Sequence, residues 1–248
     1  GSRLVGSEMC IRDRLKSKQI DYDIKTGMSP EELKSVIDEY DGILIRSATK
    51  LTSDILADCN NLKVIGRAGV GVDNVDLDQA TKNRILVMNT PLGNLEATAE
   101  LSVGLMFSIM RNIHLANDST HQGKWEKPKF LGTELKGKVL GIVGYGNIGQ
   151  RVAEICSTIG MKIITNSKSA SDDDLSKFDV KKVSTEDLIK EADIISLHTK
   201  LNDETKYMIN KETISTMKPT SVIINCARGG LINDCLLYTS PSPRDVIQ

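Results

Sequence analysis

Short apolar runs alternate with amphipathic stretches along most of this chain, and the alternation predicts successive β/α units. Ile20, Tyr22 and Ile24 alternate with polar residues as a half-buried strand does. Ser29-Pro30-Glu31-Glu32 has the capping-box pattern with Pro at the first helical position, leading into Leu33, Val36, Ile37 and Tyr40. Gly42-Ile43-Leu44-Ile45 predicts the next strand. A short helix over 52–59, a strand over 62–66, a short helix over 77–83 and a strand over 85–88 follow. Thr90-Pro91-Leu92-Gly93-Asn94 is a turn cluster and marks a crossover into a second lobe. The longest apolar helix, 96–112, carries Ala99, Val103, Leu105, Met106, Ile109 and Met110. It is apolar nearly all round, which predicts burial between elements. Residues 122–131, with the only tryptophan, Trp125, read as an exposed loop.

The second lobe is organised around residues 138–150. Val139, Leu140, Ile142 and Val143 form the short apolar run of a buried parallel strand. It ends in Gly144-Tyr145-Gly146-Asn147-Ile148-Gly149, a G-x-G-x-x-G loop, and an amphipathic helix follows until Gly160. In such a loop Gly144 makes the tight turn, Gly146 lets backbone approach a pyrophosphate, and Gly149 lets helix and strand pack closely. The helix N-terminus adds unpaired N–H groups and a positive dipole end. The motif alone is weak; a strand before and a helix after give it meaning. Further strands are expected at 162–165, 194–197 and 222–225, with Ser184 and Asn210 as helix caps. Asp172-Asp173-Asp174 reads as a solvated loop face. Two β/α lobes in succession define an α/β protein with parallel sheets. The first lobe also holds Gly69-Val70-Gly71-Val72-Asp73-Asn74, which starts like a second fingerprint. Asn74 stands where the third glycine belongs, so this is read as a close-approach loop without a nucleotide.

Composition narrows the functional classes. With 40% hydrophobic residues, 26% charged and a net charge of -1, neither nucleic acid nor an anionic membrane is indicated as a partner. No apolar run approaches a membrane span. The 5 cysteines show no C-x-x-C pair, so reduced thiols in a cytoplasm are expected, and the 3 histidines are too scattered for a metal site. The ends stand apart. Residues 5–14 and 235–245 lack the periodicity of their neighbours and resemble translated adapter sequence, so 1–14 and 235–248 are expected to be non-native. The native part then divides into a substrate lobe, 15–90, and a nucleotide lobe, 91–234, both incomplete. The closing strands would be lost, leaving 222–225 as a sheet edge.

Six blocks in order resemble the D-isomer-specific 2-hydroxyacid dehydrogenases. They are Ile45-Arg46-Ser47-Ala48-Thr49-Lys50, the stretch 66–74, Asn89-Thr90-Pro91, Ala97-Thr98-Ala99-Glu100-Leu101, the glycine loop, and Asn225-Cys226-Ala227-Arg228-Gly229-Gly230. The resemblance implies two doubly wound parallel-sheet lobes, a flavodoxin-like substrate lobe and a Rossmann dinucleotide-binding lobe. It implies hydride transfer between nicotinamide and C2 of a D-2-hydroxy acid, with 3-phosphoglycerate as the expected substrate. Arg228 falls on the family's catalytic arginine, and Val70 and Gly71 on its carboxylate-gripping loop. Arg46, Ser47 and Arg67 are candidates for a substrate phosphate, with a solvated surface role as the competing reading. Asn147 and Ile148 match pyrophosphate positions; Thr199, Cys226 and Ala227 match ribose and nicotinamide positions; Thr98 is placed to reach the nicotinamide from its helix.

Ser167 and Lys168 occupy the place where the family commonly has an aspartate for the adenosine ribose. The resemblance implies NAD, while Ser167 and Lys168 remove the repulsion of a 2′-phosphate and add a cation, which leaves NADP open, although Lys168 has a solvent-facing reading too. His198 reads as a rim or core histidine rather than a catalytic one. The family's catalytic Glu and His lie downstream of Arg228 and find no match before Asp234, so the chain as given is expected not to turn over. The resemblance also implies a homodimer or higher homo-oligomer, with helix 96–112 at its interface. A competing class is a dinucleotide-sensing corepressor-like protein, which the 46–47 and 69–71 blocks disfavour.

Overall fold

The computed structural model describes residues 5–233, 235 and 246–247. The chain divides into two compact units, Gly1–Thr90 and Pro91–Gln248.

The first unit opens with α1 (Val5–Ser17), which runs unbroken across residue 14. A helix closes its hydrogen bonds locally, so the missing apolar period at 5–14 did not prevent one. Residues 20–24 form no strand. Ile20 and Ile24 are both exposed, and among the described residues 20–24 pair with no strand. The capping box forms as the sequence implies: the Ser29 hydroxyl accepts from Glu32 N–H at 3.2 Å, and the Glu32 carboxylate accepts from Ser29 N–H at 2.8 Å. It starts α2 (Pro30–Val36). The strands β1 (Gly42–Ile45), β2 (Val64–Arg67) and β3 (Leu86–Asn89) pair parallel in that order, linked by α3 (Ser53–Leu56) and α4 (Leu77–Lys82). One face of this sheet is buried, Ile45 and Ile65 lying in a cluster with Leu33, Ile37, Leu56 and Ala80. The other presents Leu44, Leu86 and Met88 to solvent. The Asp38 carboxylate accepts from the amides of Asn60, Asn61 and Leu62, which holds it below the usual carboxylate range against the opposing effect of burial.

The second unit begins with α5 (Leu95–Met110) and α6 (Ile113–His121). Its strands are β4 (Val139–Val143), β5 (Lys162–Thr165), β6 (Lys181–Lys182), β7 (Ile194–Leu197), β8 (Val222–Asn225) and β9 (Val246–Ile247). The helices α7 (Asn147–Thr158), α8 (Asp172–Ser176), α9 (Thr185–Glu191) and α10 (Lys211–Thr216) connect them. The sheet is parallel throughout, in the order β6-β5-β4-β7-β8-β9. Counted from β4 this is the 3-2-1-4-5-6 order of a dinucleotide-binding sheet, with the direction of winding reversing at β4. Alternate side chains feed two cores. Leu140, Ile142, Ile163, Ile194 and Ile224 pack with Val103 and Met106 of α5 and Val152 of α7. Val143, Ile164, Ile195, Leu197 and Ile223 pack with Leu188 and Ile189 of α9. Each fully buried aliphatic contributes roughly 1.5–3 kcal/mol, so β7, buried on both faces, anchors the sheet. Asp193 ties its start to two neighbours, accepting from Val139 N–H and from the Lys218 ammonium, both at 2.8 Å. Burial opposes this charge, yet the two donors hold the carboxyl below its ordinary value.

Four expectations need correction. β8 is not the edge of the sheet, because β9 pairs with it. α5 is buried along one stripe only (Ala99, Val103, Met106 and Ile109), while Leu101 and Phe107 are exposed. Its apolar surface exceeds what its neighbours within the unit cover. α6 lies where no helix was expected, after Asn112 turns the chain in a left-handed conformation. Asp172, Asp173 and Asp174 are the first turn of α8 rather than a loop, capped by the Ser171 hydroxyl. Acids there complement the helix dipole.

Candidate functional site: the strand-end edge of the nucleotide unit

Backbone meets backbone where β4 turns into α7. Gly144 has φ +89, and a Cβ on it would lie 2.7 Å from the His198 carbonyl oxygen and 2.9 Å from the Thr199 nitrogen. A Cβ on Gly149 would collide with the Gly144 carbonyl and approach Ile142 Cγ2 to 3.2 Å. Gly146 is different. Nothing lies within 4 Å of where its Cβ would be, and no side chain caps α7. Among the described residues the first turn of α7 thus begins without a side-chain cap and with room over Gly146, the arrangement that accepts an anion. Tyr145 is buried beside this turn, its hydroxyl without a partner, and burial pushes the phenol up.

The other expected residues of this unit, Thr98 excepted, follow the C-terminal ends of its strands. After β5, Asn166 donates to the Thr185 hydroxyl at 2.9 Å, Ser167 is half-buried and Lys168 exposed. The Lys182 ammonium sits 3.4 Å from the Lys168 carbonyl. After β7, His198 N–H donates to the Val143 carbonyl at 2.8 Å, and Nε2 is 2.8 Å from the Ser196 hydroxyl. Burial pushes the imidazole down to about 4, so it is neutral near pH 7 and a poor proton acceptor. Thr199 follows it, half-buried. After β8 come Cys226, Ala227 and Arg228, all half-buried. Asn225, which the sequence reading had placed only within a motif block, is buried and binds both Ala227 N–H and the Arg228 carbonyl. Its signal in the sequence was an amide residue closing a strand just before a candidate arginine. Thr98 lies in the first turns of α5, its described hydrogen bonds staying within that helix.

Arg46, Ser47, Arg67, Val70 and Gly71 belong to the first unit. Arg46 and Ser47 follow β1, Arg67 ends β2, and the loop 69–74 comes next. Gly69 has φ +148, and a Cβ there would fall on the Arg67 guanidinium. Asn74 Nδ2 donates to the Arg46 and Thr49 carbonyls at 3.0 and 2.6 Å, and Asn89 Nδ2 to the Val70 carbonyl at 2.7 Å. Side-chain amides thus join both candidate loops. Among the described residues, Arg67 Nε and Asn74 Oδ1 are buried without partners.

A family profile described as "D-isomer specific 2-hydroxyacid dehydrogenase, NAD binding domain" matches residues 103–240. The chain belongs to that family. It is 44% identical over 218 residues to D-3-phosphoglycerate dehydrogenase of Synechocystis, covering 88% of this chain and 39% of that protein. It is equally 44% identical over 211 residues to hydroxypyruvate reductase of Thermotoga maritima, covering 85% and 68%. The chain therefore spans about two fifths of the length of the first of these relatives. Among solved structures, D-lactate dehydrogenase from Aquifex aeolicus, complexed with NAD and lactic acid, superposes with a TM-score of 0.81 at 30% identity. That match covers 92% of this chain and 69% of the other. Its glycine turn, Gly144–Gly149, lies at the reversal point of its sheet.

The half-buried imidazole of His198 gives a pH-dependent expectation. His198 has an ordinary value near 6.5 when unfolded and about 4 when folded. Between those values the unfolded chain binds the extra proton, so stability falls as pH drops through the window. Going from about pH 7 to about pH 5 should remove on the order of 2 kcal/mol through this group. His198→Gln should remove that component of the slope in urea unfolding. An identical slope in the variant would show that His198 is not held neutral.

Proposed function

We propose that this chain forms the substrate lobe and nucleotide lobe of an oxidoreductase that moves a hydride between nicotinamide and C2 of a D-2-hydroxy acid. The substrate we assign is 3-phosphoglycerate. The observation that carries the reading is the Gly144–Gly149 turn at the reversal point, with Arg228 on the same strand-end edge. The cradle fits a dinucleotide: the space over Gly146 is open, and the α7 amides have no competing side-chain cap. Asn147 and Ile148 would hold the pyrophosphate, Ser167 and Lys168 the adenosine ribose, and Thr199, Cys226, Ala227 and Thr98 the nicotinamide side. Bound NAD supplies the hydride acceptor.

Binding the substrate and polarising its C2 oxygen belong to the chain's own side chains. The planar fork of the Arg228 guanidinium matches a carboxylate bidentately while polarising the C2 oxygen. His198, neutral and poorly basic, is left out of proton transfer. In the first unit Val70 and Gly71 are assigned to the substrate carboxylate, and Arg46, Ser47 and Arg67 to its phosphate. The unpartnered, buried Nε of Arg67 supports an anion there. The exposed Leu101 and Phe107 of α5 support a homo-oligomer, and the buried free thiols of Cys59 and Cys156 a cytoplasmic location. Nothing in the comparisons favours a dinucleotide sensor.

The direct test is loss of reduced-cofactor absorbance when the full-length protein meets a panel of 2-keto acids, phosphorylated and not. Consumption with none of them would remove the proposed activity. Gly146→Val should leave the fold intact, since its Cβ meets nothing. It should weaken dinucleotide binding by at least tenfold, about 1.4 kcal/mol. An unchanged dissociation constant by calorimetry would show that the pyrophosphate lies elsewhere.

Ser167 stands where a carboxylate would accept the ribose hydroxyls and repel a 2′-phosphate, so discrimination between NAD and NADP should be weak. Ser167→Asp should shift preference toward NAD by on the order of 1–3 kcal/mol. A parent protein that already prefers NAD by about a thousandfold, roughly 4 kcal/mol, would contradict the assignment.

A further inference from the structure

We infer that Asn225 is the positioning residue for Arg228, holding by its side chain the backbone from which the guanidinium is aimed. The inference rests on the role proposed above for Arg228. Asn225 is the last residue of β8 and is 7% exposed. Beyond it the chain leaves the sheet, and among the described residues 226–228 join no strand. The Asn225 side chain replaces the ladder. Its Oδ1 accepts from Ala227 N–H at 3.1 Å, and its Nδ2 donates to the Arg228 carbonyl at 2.9 Å. Those two bonds pin the peptide units on either side of the 227–228 peptide. The carbonyl of that enclosed peptide accepts from Arg228 Nη1 at 2.9 Å. Leu231 N–H holds the Arg228 carbonyl from the far side at 3.3 Å, opening the 3-10 turn Gly229–Leu231. Arg228 itself is extended, at φ -141 and ψ 136.

The side chain needed here must accept at one end and donate at the other, over the reach of a single methylene. Asparagine meets that requirement. Aspartate keeps the acceptor but sets an anionic oxygen against the Arg228 carbonyl, and glutamine is one methylene too long. A guanidinium displaced by an ångström loses alignment with a reacting carbonyl, which can lower the rate about a hundredfold.

The test uses the full-length protein with NADH and a reactive 2-keto acid from the panel. Asn225→Asp should lower kcat/KM for the keto acid about tenfold or more, while the protein stays folded at a melting temperature lowered by the buried charge and the NADH dissociation constant changes by less than about threefold. Because Asn225 acts through Arg228, the double variant Asn225→Asp/Arg228→Lys should be no slower than Arg228→Lys alone. Equal losses of NADH binding and turnover in Asn225→Asp, or loss of the folded state, would make Asn225 a structural residue and overturn the inference. A disabled Arg228→Lys beside an intact Asn225→Asp would overturn it alone. Full turnover in Arg228→Lys would remove the role of Arg228 itself, and this inference with it.

Discussion

The contact between the Gly144 backbone and the His198–Thr199 backbone is the constraint on which the nucleotide unit depends. With φ +89 and a would-be Cβ only 2.7 Å from a carbonyl oxygen, position 144 admits no side chain. That approach lets the chain reverse directly off β4, and Gly149 then brings α7 down onto the strand it has just left. The first turn of α7 comes to stand over the strand ends with its amides unclaimed. An apolar core alone would not produce this, because side-chain packing tolerates adjustment and backbone against backbone does not.

The same economy runs through the loops around it. Strands in both units are held by ladders and by alternating aliphatic side chains, whereas the segments beyond their C-terminal ends are held by amide side chains. Asn225 ties 227 to 228, Asn74 ties the loop after β1, and Asn89 ties the loop after β2. Such bonds are short and directional, and each satisfies carbonyls that would otherwise face the edge unpaired. His198 belongs to this framework. Its amide extends the β4–β7 ladder, and its half-buried ring stays neutral.

The strands at 162–165, 194–197 and 222–225 were legible to the residue, because a buried parallel strand is a bounded apolar run and little else fits it, and 42–45 was legible as the same kind of run although one of its faces is open. The Ser29, Ser184 and Asn210 caps were legible for a local reason, since cap chemistry is decided within four residues. What failed depends on neighbours. The alternation at 20–24 is a strand pattern without a partner, and the apolar girth of α5 says nothing about which side is covered within its own unit. Asp172–Asp174 show charge but hide the Ser171 cap that makes them a helical turn. The glycine turn and Arg228 were visible as motifs, while the amide of Asn225 emerged only when the chain was folded back on itself.

The central claim is that the open amides at the start of α7 receive the pyrophosphate of a nicotinamide dinucleotide. Backbone amide shifts of the isotope-labelled chain during titration with NADH test it most directly. The account predicts saturable shifts at Gly146, Asn147, Ile148 and Gly149, with Thr199 and Ala227 following on the same binding curve. Saturable binding that leaves those four amides unmoved, with shifts confined to other parts of the chain, would contradict it.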